Sequence, residues 1–256
     1  MPMLDRDGVK IHYEASGDGP ALILTHGYSS TCDMWAGQIG PLSQHFKVVT
    51  WDMRGHGQSD YPQDQSAYSE AETVADIAAL LDAVGAKDAI VGGLSLGGYM
   101  SLAFHATHPE RTRALLIIDT GPGYKNDQAR DGWNANAIRR AERFEAEGFG
   151  DLSSASAEVR LARHRNAHGL ARAARGMLTQ SNARVIESLP TIKVPAVVIV
   201  GANDTPFIAA SDYMAAKIPG AKKVVIPDAG HSANIDQPGA FNAALLDFLK
   251  GAGLIN

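Results

Sequence analysis

Asp88-Ala89-Ile90-Val91-Gly92-Gly93-Leu94-Ser95-Leu96-Gly97-Gly98-Tyr99-Met100 reads as a buried strand that turns sharply at a serine and continues as a helix. Gly93 and Gly97 lie two residues either side of Ser95, where a side chain would collide with backbone as strand gives way to helix. Such a turn lifts the Ser95 hydroxyl onto the exposed tip of the strand and strains its backbone. Gly-x-Ser-x-Gly also arises by chance in glycine-rich chains, so the flanks decide. An apolar run precedes it, and Tyr99, Met100, Leu102, Ala103, Phe104 and Ala106 continue it as a buried helix.

Outward from this elbow, Ala21–Thr25, Phe46–Trp51, Ala114–Ile118, Val194–Val200 and Val224–Ile226 are short, mostly apolar runs rich in β-branched residues. They read as parallel strands buried on both faces. Val9–Glu14 alternates apolar and polar residues like a half-exposed strand, and Asp18-Gly19-Pro20 turns it into the next element, which predicts a hairpin of these two at the sheet edge. Val74, Ile77, Ala78, Leu81 and Val84 repeat at helical spacing between two of these strands. The fold class expected is α/β, a doubly wound and mostly parallel sheet. The alternation breaks between Gly121 and Pro190, where only helical patterns occur, so residues 121–190 are expected to form an inserted helical cap between core parts 1–120 and 191–256.

Composition narrows the function. The 256 residues allow one sizeable α/β core, and 45% hydrophobic with 20% charged residues fits a water-soluble globular chain. No apolar stretch approaches the roughly 20 residues of a membrane span. A net charge of -5 offers no basic footprint for nucleic acid or an anionic membrane, leaving a small molecule as the expected partner, for a monomer or homodimer. Cys32 stands alone, so it forms no intrachain disulfide; it reads as a small packing residue, and with no secretory pattern at the start the expected location is cytoplasmic.

A serine hydroxyl needs a base within reach and a group to orient that base. Asp204 follows Val200-Gly201-Ala202-Asn203 at a strand end, and His231 follows Pro227-Asp228-Ala229-Gly230 after the last strand. Ser95, Asp204 and His231 are therefore the expected catalytic residues, in an order known for sheets of this kind. Asp119 also ends a strand and is the second candidate for the acid. Negative charge developing on a carbonyl oxygen calls for preplaced donors. The Leu96 N–H opens the helix after the serine, and the Tyr28 N–H lies in the turn after another strand. His26 reads as a hydrogen-bonding brace. His164 and His168 are four apart, yet no histidine set has metal-ligand spacing, and neither metal nor cofactor is expected.

Together these residues resemble the α/β-hydrolase superfamily. His26-Gly27 is similar to its oxyanion turn, Asp52-Met53-Arg54-Gly55-His56-Gly57-Gln58-Ser59 to its loop after an early strand, Gly201-Ala202-Asn203-Asp204 to its acid turn and Gly230-His231-Ser232 to its histidine loop. The resemblance implies Arg54 and Ser59 as braces of backbone turns. It points to the small cofactor-free carboxylesterase, enol-lactonase and perhydrolase group, hence a serine hydrolase that cleaves a small ester or lactone through an acyl-enzyme. Serine at the elbow departs from the dehalogenase and epoxide-hydrolase branches, which place aspartate there. Carbon–carbon bond hydrolases of ring-cleavage products stay open, although they often carry asparagine where Leu94 stands, and so does a hydrolase-like ligand receptor with little turnover. Trp35, Trp133, Phe144, Met177 and Phe207 are candidates for the pocket lining, alongside Phe149. The arginines from Arg160 to Arg175 read as a solvated helix face.

Overall fold

The computed structural model describes residues 2–255. Its strands are β1 (Met3–Arg6), β2 (Val9–Ser16), β3 (Ala21–Thr25), β4 (Lys47–Trp51), β5 (Ala89–Leu94), β6 (Thr112–Ile118), β7 (Ala196–Gly201) and β8 (Lys222–Ile226). The helices are α1 (Ala36–Ser43), α2 (Glu70–Ala83), α3 (Leu96–Thr107), α4 (Asp127–Glu147), α5 (Ala157–Leu161), α6 (Ala167–Ala173), α7 (Arg184–Ser188), α8 (Thr205–Lys217), α9 (Ala233–Asp236) and α10 (Pro238–Gly251), with a π-helical turn at Ala174–Leu178. One sheet runs in the order β1-β2-β4-β3-β5-β6-β7-β8, parallel from β4 to β8 and antiparallel at β1 and β2.

Continuous apolar strands follow from burial on both faces. Successive side chains point to opposite sides of a strand. Ile23, Val49, Val91, Leu115 and Val198 therefore meet α2, α3 and the helical segment between β6 and β7, whereas Leu22, Leu24, Val48, Ile90 and Ile199 meet Trp35, α1 and α10. Each such fully buried side chain contributes about 1.5–3 kcal/mol. Helix α10 buries Phe241, Leu245, Phe248 and Leu249, a stripe at three- and four-residue spacing. Helix α3 is apolar nearly all round because it lies between the sheet and the helical segment. Ser69 caps α2 by accepting the Glu72 N–H at 3.0 Å, the contact encoded by Ser-x-x-Glu.

Two expectations are corrected at the edges. The hairpin partner of β2 is β1, through the turn at Asp7-Gly8, and the other side of β2 pairs with β4. The last strand is an edge, buried fully only at Ile226, with Val225 exposed. The helical stretch from α4 to α7 shares its core with the sheet: Ala141, Leu170, Ala173, Ala174 and Met177 pack in the same cluster as β3 and β5. It is joined closely, because Gly169 lies against Gly55 and Tyr61, and a Cβ at Gly176 would sit 1.7 Å from the Tyr68 carbonyl oxygen.

Glycine is obligatory at the elbow. A Cβ at Gly97 would lie 2.1 Å from the Thr25 carbonyl oxygen and 2.6 Å from that of His26; one at Gly93 would lie 2.5 Å from the Gly97 carbonyl carbon. By contrast a Cβ at Gly132, on an exposed turn of α4, meets nothing within 4 Å. Chemical denaturation is expected to show Gly97→Ala destabilised by about 2–3 kcal/mol or more and Gly132→Ala stabilised by about 0.5–1 kcal/mol. Equal effects of the two substitutions would contradict this account.

Candidate active site

Ser95 sits between β5 and α3 with φ 56° and ψ -117°. That left-handed backbone is costly for a side-chain-bearing residue. It is held from both ends: the Ser95 N–H donates to the Ile118 carbonyl at 2.9 Å, and the Thr120 hydroxyl donates to the Ser95 carbonyl at 2.7 Å. Ser95 alone in the run from Val91 to Met100 is half-buried; its neighbours are buried.

The acid and the histidine arrive on neighbouring strand ends. Asp204, 5% exposed, follows β7, and its Oδ2 lies 2.8 Å from Nδ1 of His231, which leads into α9. Burial disfavours the imidazolium, but the hydrogen bond to Asp204 and the carboxylates of Asp204, Glu158 and Asp119 outweigh it, so the His231 pKa stands above its ordinary value. The ring of Phe207 stacks on His231 with centroids 5.1 Å apart. Ser95, Asp204 and His231 open on one cleft of about 650 Å³. Among the described residues the Ser95 hydroxyl makes no hydrogen bond to His231; in many hydrolases without substrate this contact is long.

Asp119 is not at the imidazole. It is fully buried with φ 44°, accepts the Gly201 N–H on Oδ1 at 2.7 Å, and turns its other oxygen, without a donor among the described residues, toward Asp204. Burial pushes its pKa up to about 8, and the adjacent Asp204 carboxylate adds to that rise.

The turn after β3 is pressed against the nucleophile. A Cβ at Gly27 would lie 3.4 Å from that of Ser95. The Tyr28 N–H that follows donates to no protein acceptor among the described residues, and the Leu96 N–H is in the first turn of α3, where amides lack helical partners. Three imidazoles brace this turn. His26 donates from Nδ1 to the Gly27 carbonyl at 2.6 Å and accepts the Met53 N–H at 3.0 Å. His56 accepts the Ser29 N–H at 3.3 Å. His164, from the helical segment, accepts the Gly57 N–H and donates to the Ser29 carbonyl, each at 3.1 Å. Burial holds all three below the ordinary histidine range, His26 at about 4.

Behind them, Arg54 makes a bidentate pair with buried Asp76 at 2.7 and 2.8 Å, and Ser59 donates to the Asp52 carbonyl at 2.6 Å. Both brace the loop as the resemblance implies. His12, Cys32 and Asp52 also converge there with ligand atoms within 4.8 Å of one another. The Asp52 oxygens already accept the Cys32 and Gln58 N–H groups at 2.8 Å and pair with His12, and Gly57 is pressed against them. The Asp52 carboxylate thus ties these loops together through structural hydrogen bonds. The Cys32 thiol is buried, and burial raises its pKa.

Of the expected lining residues, Trp133, Phe144 and Phe207 face the cleft, as does Phe149. Trp35 does not. It is fully buried on the opposite face of the sheet with α10. Met177 does not either, being 1% exposed in the core under the helical segment. A second, smaller chamber of about 110 Å³ leads from Ser95 and Leu96 past Tyr99, Gly123, Gln180 and Ala210. The cleft arginines are Arg140 and Arg143 of α4, which the sequence reading passed over. Arg165 instead lies over Tyr61, and Arg175 pairs with Glu145 at 2.8 Å.

The family model for the alpha/beta hydrolase fold matches residues 20–238. The chain belongs to the α/β-hydrolase family. This α/β-hydrolase is 30% identical over 95% of its length, and 96% of the relative's, to a putative 2-succinyl-6-hydroxy-2,4-cyclohexadiene-1-carboxylate synthase of Bacillus subtilis. It is 29% identical to 3-oxoadipate enol-lactonase 1 of Acinetobacter baylyi, over 96% of this chain and 95% of that one. The crystal structure of an enol-lactonase from Burkholderia xenovorans superposes with a TM-score of 0.84 at 28% identity, covering 97% of this chain and all of the other. Among the described residues no helix is long and apolar enough to cross a membrane.

Asp119 gives the site a signature in stability. Folded Asp119 keeps its proton up to about 8, whereas in the unfolded chain it loses it near the ordinary value of 3.8. Its contribution is therefore largest at acid pH and declines as pH rises between those values. Asp119→Asn is isosteric, keeps the acceptor for Gly201 and does not titrate. Urea titrations at pH 5 and pH 8 are expected to show the stability of this variant relative to wild type improving at the higher pH. A difference independent of pH would refute the buried, proton-bearing assignment.

Proposed function

We propose that this α/β-hydrolase is a serine hydrolase that cleaves a small carboxylic ester or lactone through an acyl-enzyme. The observation that carries the reading is the Asp204–His231 pair at 2.8 Å opening with Ser95 on one cleft, next to two unspent backbone amides. His231 takes the proton of Ser95 as its oxygen attacks the carbonyl carbon. Asp204 holds Nδ1–H and stabilises the imidazolium that forms. The N–H groups of Tyr28 and Leu96 receive the developing oxyanion, adding the positive end of the α3 dipole. His231 returns the proton to the leaving oxygen, then activates water to release the acid from Ser95.

The two chambers support an asymmetric substrate. About 110 Å³ is less than the roughly 150 Å³ cavity that accommodates benzene. The acyl side is read as short, with the larger alcohol portion in the cleft between α4 and Phe207. The free, buried Cys32 is consistent with a cytoplasmic setting. No cofactor has a part in the reaction as proposed.

Ser95→Ala is expected to abolish both turnover of p-nitrophenyl esters and covalent labelling by a fluorophosphonate, with the circular dichroism spectrum unchanged. Asp204→Asn is expected to lower kcat by about 10³–10⁴ through the wrong tautomer of His231. Wild-type turnover in Ser95→Ala would sink the reading. For acyl length, kcat/KM is expected to hold from acetate to butyrate and to fall at least about tenfold by octanoate, equivalent to about 1.4 kcal/mol; an unbroken rise with length would contradict the small chamber as the acyl site.

A further inference from the structure

Glu158 is a buried acid on the helical segment that the reaction above does not use. It lies in α5, is 3% exposed, and lines the cleft together with Ser95 and His231. Its carboxylate oxygens accept from serine hydroxyls, Ser156 onto Oε1 at 2.5 Å and Ser232 onto Oε2. Its N–H donates to the Ser232 hydroxyl at 3.4 Å, and its carbonyl accepts from the Ser30 hydroxyl at 3.3 Å. Ser232 is the neighbour of His231 in the chain. Ser30 closes the turn that carries Tyr28, its N–H donating to the Gly27 carbonyl at 3.1 Å. One residue of the helical segment thus touches both loops on which the proposed chemistry depends.

Among the described residues no lysine or arginine pairs with the Glu158 side chain; hydroxyls alone hold its oxygens. Burying a carboxylate without a cation is costly. The group nearby that can acquire positive charge is His231, which does so as Ser95 is deprotonated. Asp204 is hydrogen-bonded to His231 at Nδ1, Glu158 acts on it from the helical segment, Asp119 stays protonated up to about 8, Arg140 and Arg143 of α4 line the same cleft, and Phe207 covers the ring face.

Resting on the serine-hydrolase reading, we propose that Glu158 is a positioning residue whose buried carboxylate stabilises the His231 imidazolium and makes the base depend on the docking of α5. The placement has a directional consequence. A negative neighbour favours the protonated ring, so the pH at which His231 becomes a free base is higher with Glu158 than without it.

The test is E158Q, which keeps shape and hydrogen-bonding capacity but removes the charge. NMR titration of the His231 imidazole and the acid limb of kcat/KM are both expected to move to lower pH by about 0.5–1 unit. The plateau of kcat/KM is expected to fall about three- to tenfold, because the cation formed during attack loses a stabilising charge. E158D, checked for folding alongside, should restore part of the shift; if E158Q does not fold, a smaller downward shift in E158D decides the matter. A role limited to bridging loops predicts lower activity with an unmoved titration, and that result, or an upward shift, overturns the proposal. The NMR titration reads Glu158 whatever the turnover, whereas a catalytically unimpaired Ser95→Ala would overturn the hydrolase reading alone.

Discussion

The backbone contact between the first turn of α3 and the end of β3 sets the geometry of the whole upper surface. With Gly97 against the carbonyls of Thr25 and His26, the helix starts pressed against the end of β3, the neighbour of the strand it follows. Ser95 is then forced into a left-handed conformation between two hydrogen bonds, and the β3 turn lies beside it. Neither arrangement is cheap locally, and the strain is sustained by a sheet buried on both faces. The same contact fixes the two elements that carry the Tyr28 and Leu96 amides.

Around that contact, burial and neighbouring charge divide the histidines into two kinds. His26, His56 and His164 are enclosed, held neutral, and spend their nitrogens on backbone groups of the turn. His231 is partly open to the cleft, with carboxylates on several sides, and is the ring whose proton affinity is raised. A neutral imidazole can accept one backbone N–H and donate to one carbonyl, which suits a bracing role; a cation could not accept. The chain uses one residue type for rigidity and, in the proposed reaction, for proton transfer by varying only its surroundings.

Much of this was legible in the sequence because it rests on local patterns. The elbow glycines, the apolar strand runs and the positions of Asp204 and His231 after strands are each encoded within a few residues. The pairing of β2 with β4 was not, since Val9–Glu14 carries alternation but no information about its neighbour. Trp35 and Met177 have the character of pocket residues, and whether an apolar side chain faces a cleft or a core depends on the direction of its element. Arg140, Arg143 and Glu158 were passed over for the opposite reason: charged residues on a helical segment resemble a solvated face until the segment is docked. Asp119 is distinguished from Asp204 by a positive φ and a carboxylate spent on the Gly201 N–H, whereas Asp204 reaches His231, which spacing does not reveal.

The glycine seam between the helical segment and the loop after β4 bears on how such a chain can be rebuilt. Gly169 against the Gly55 backbone and the Tyr61 ring, and Gly176 against the Tyr68 carbonyl, leave no space for a side chain on the helical segment at either point. A joint of this type has no slack: a helical segment transplanted from a relative must match the host backbone to within a fraction of an ångström, or else bring Gly55, Tyr61 and Tyr68 with it. Modular exchange along this chain therefore has its natural unit not in the segment between two strands but in that segment together with a stretch more than a hundred residues earlier.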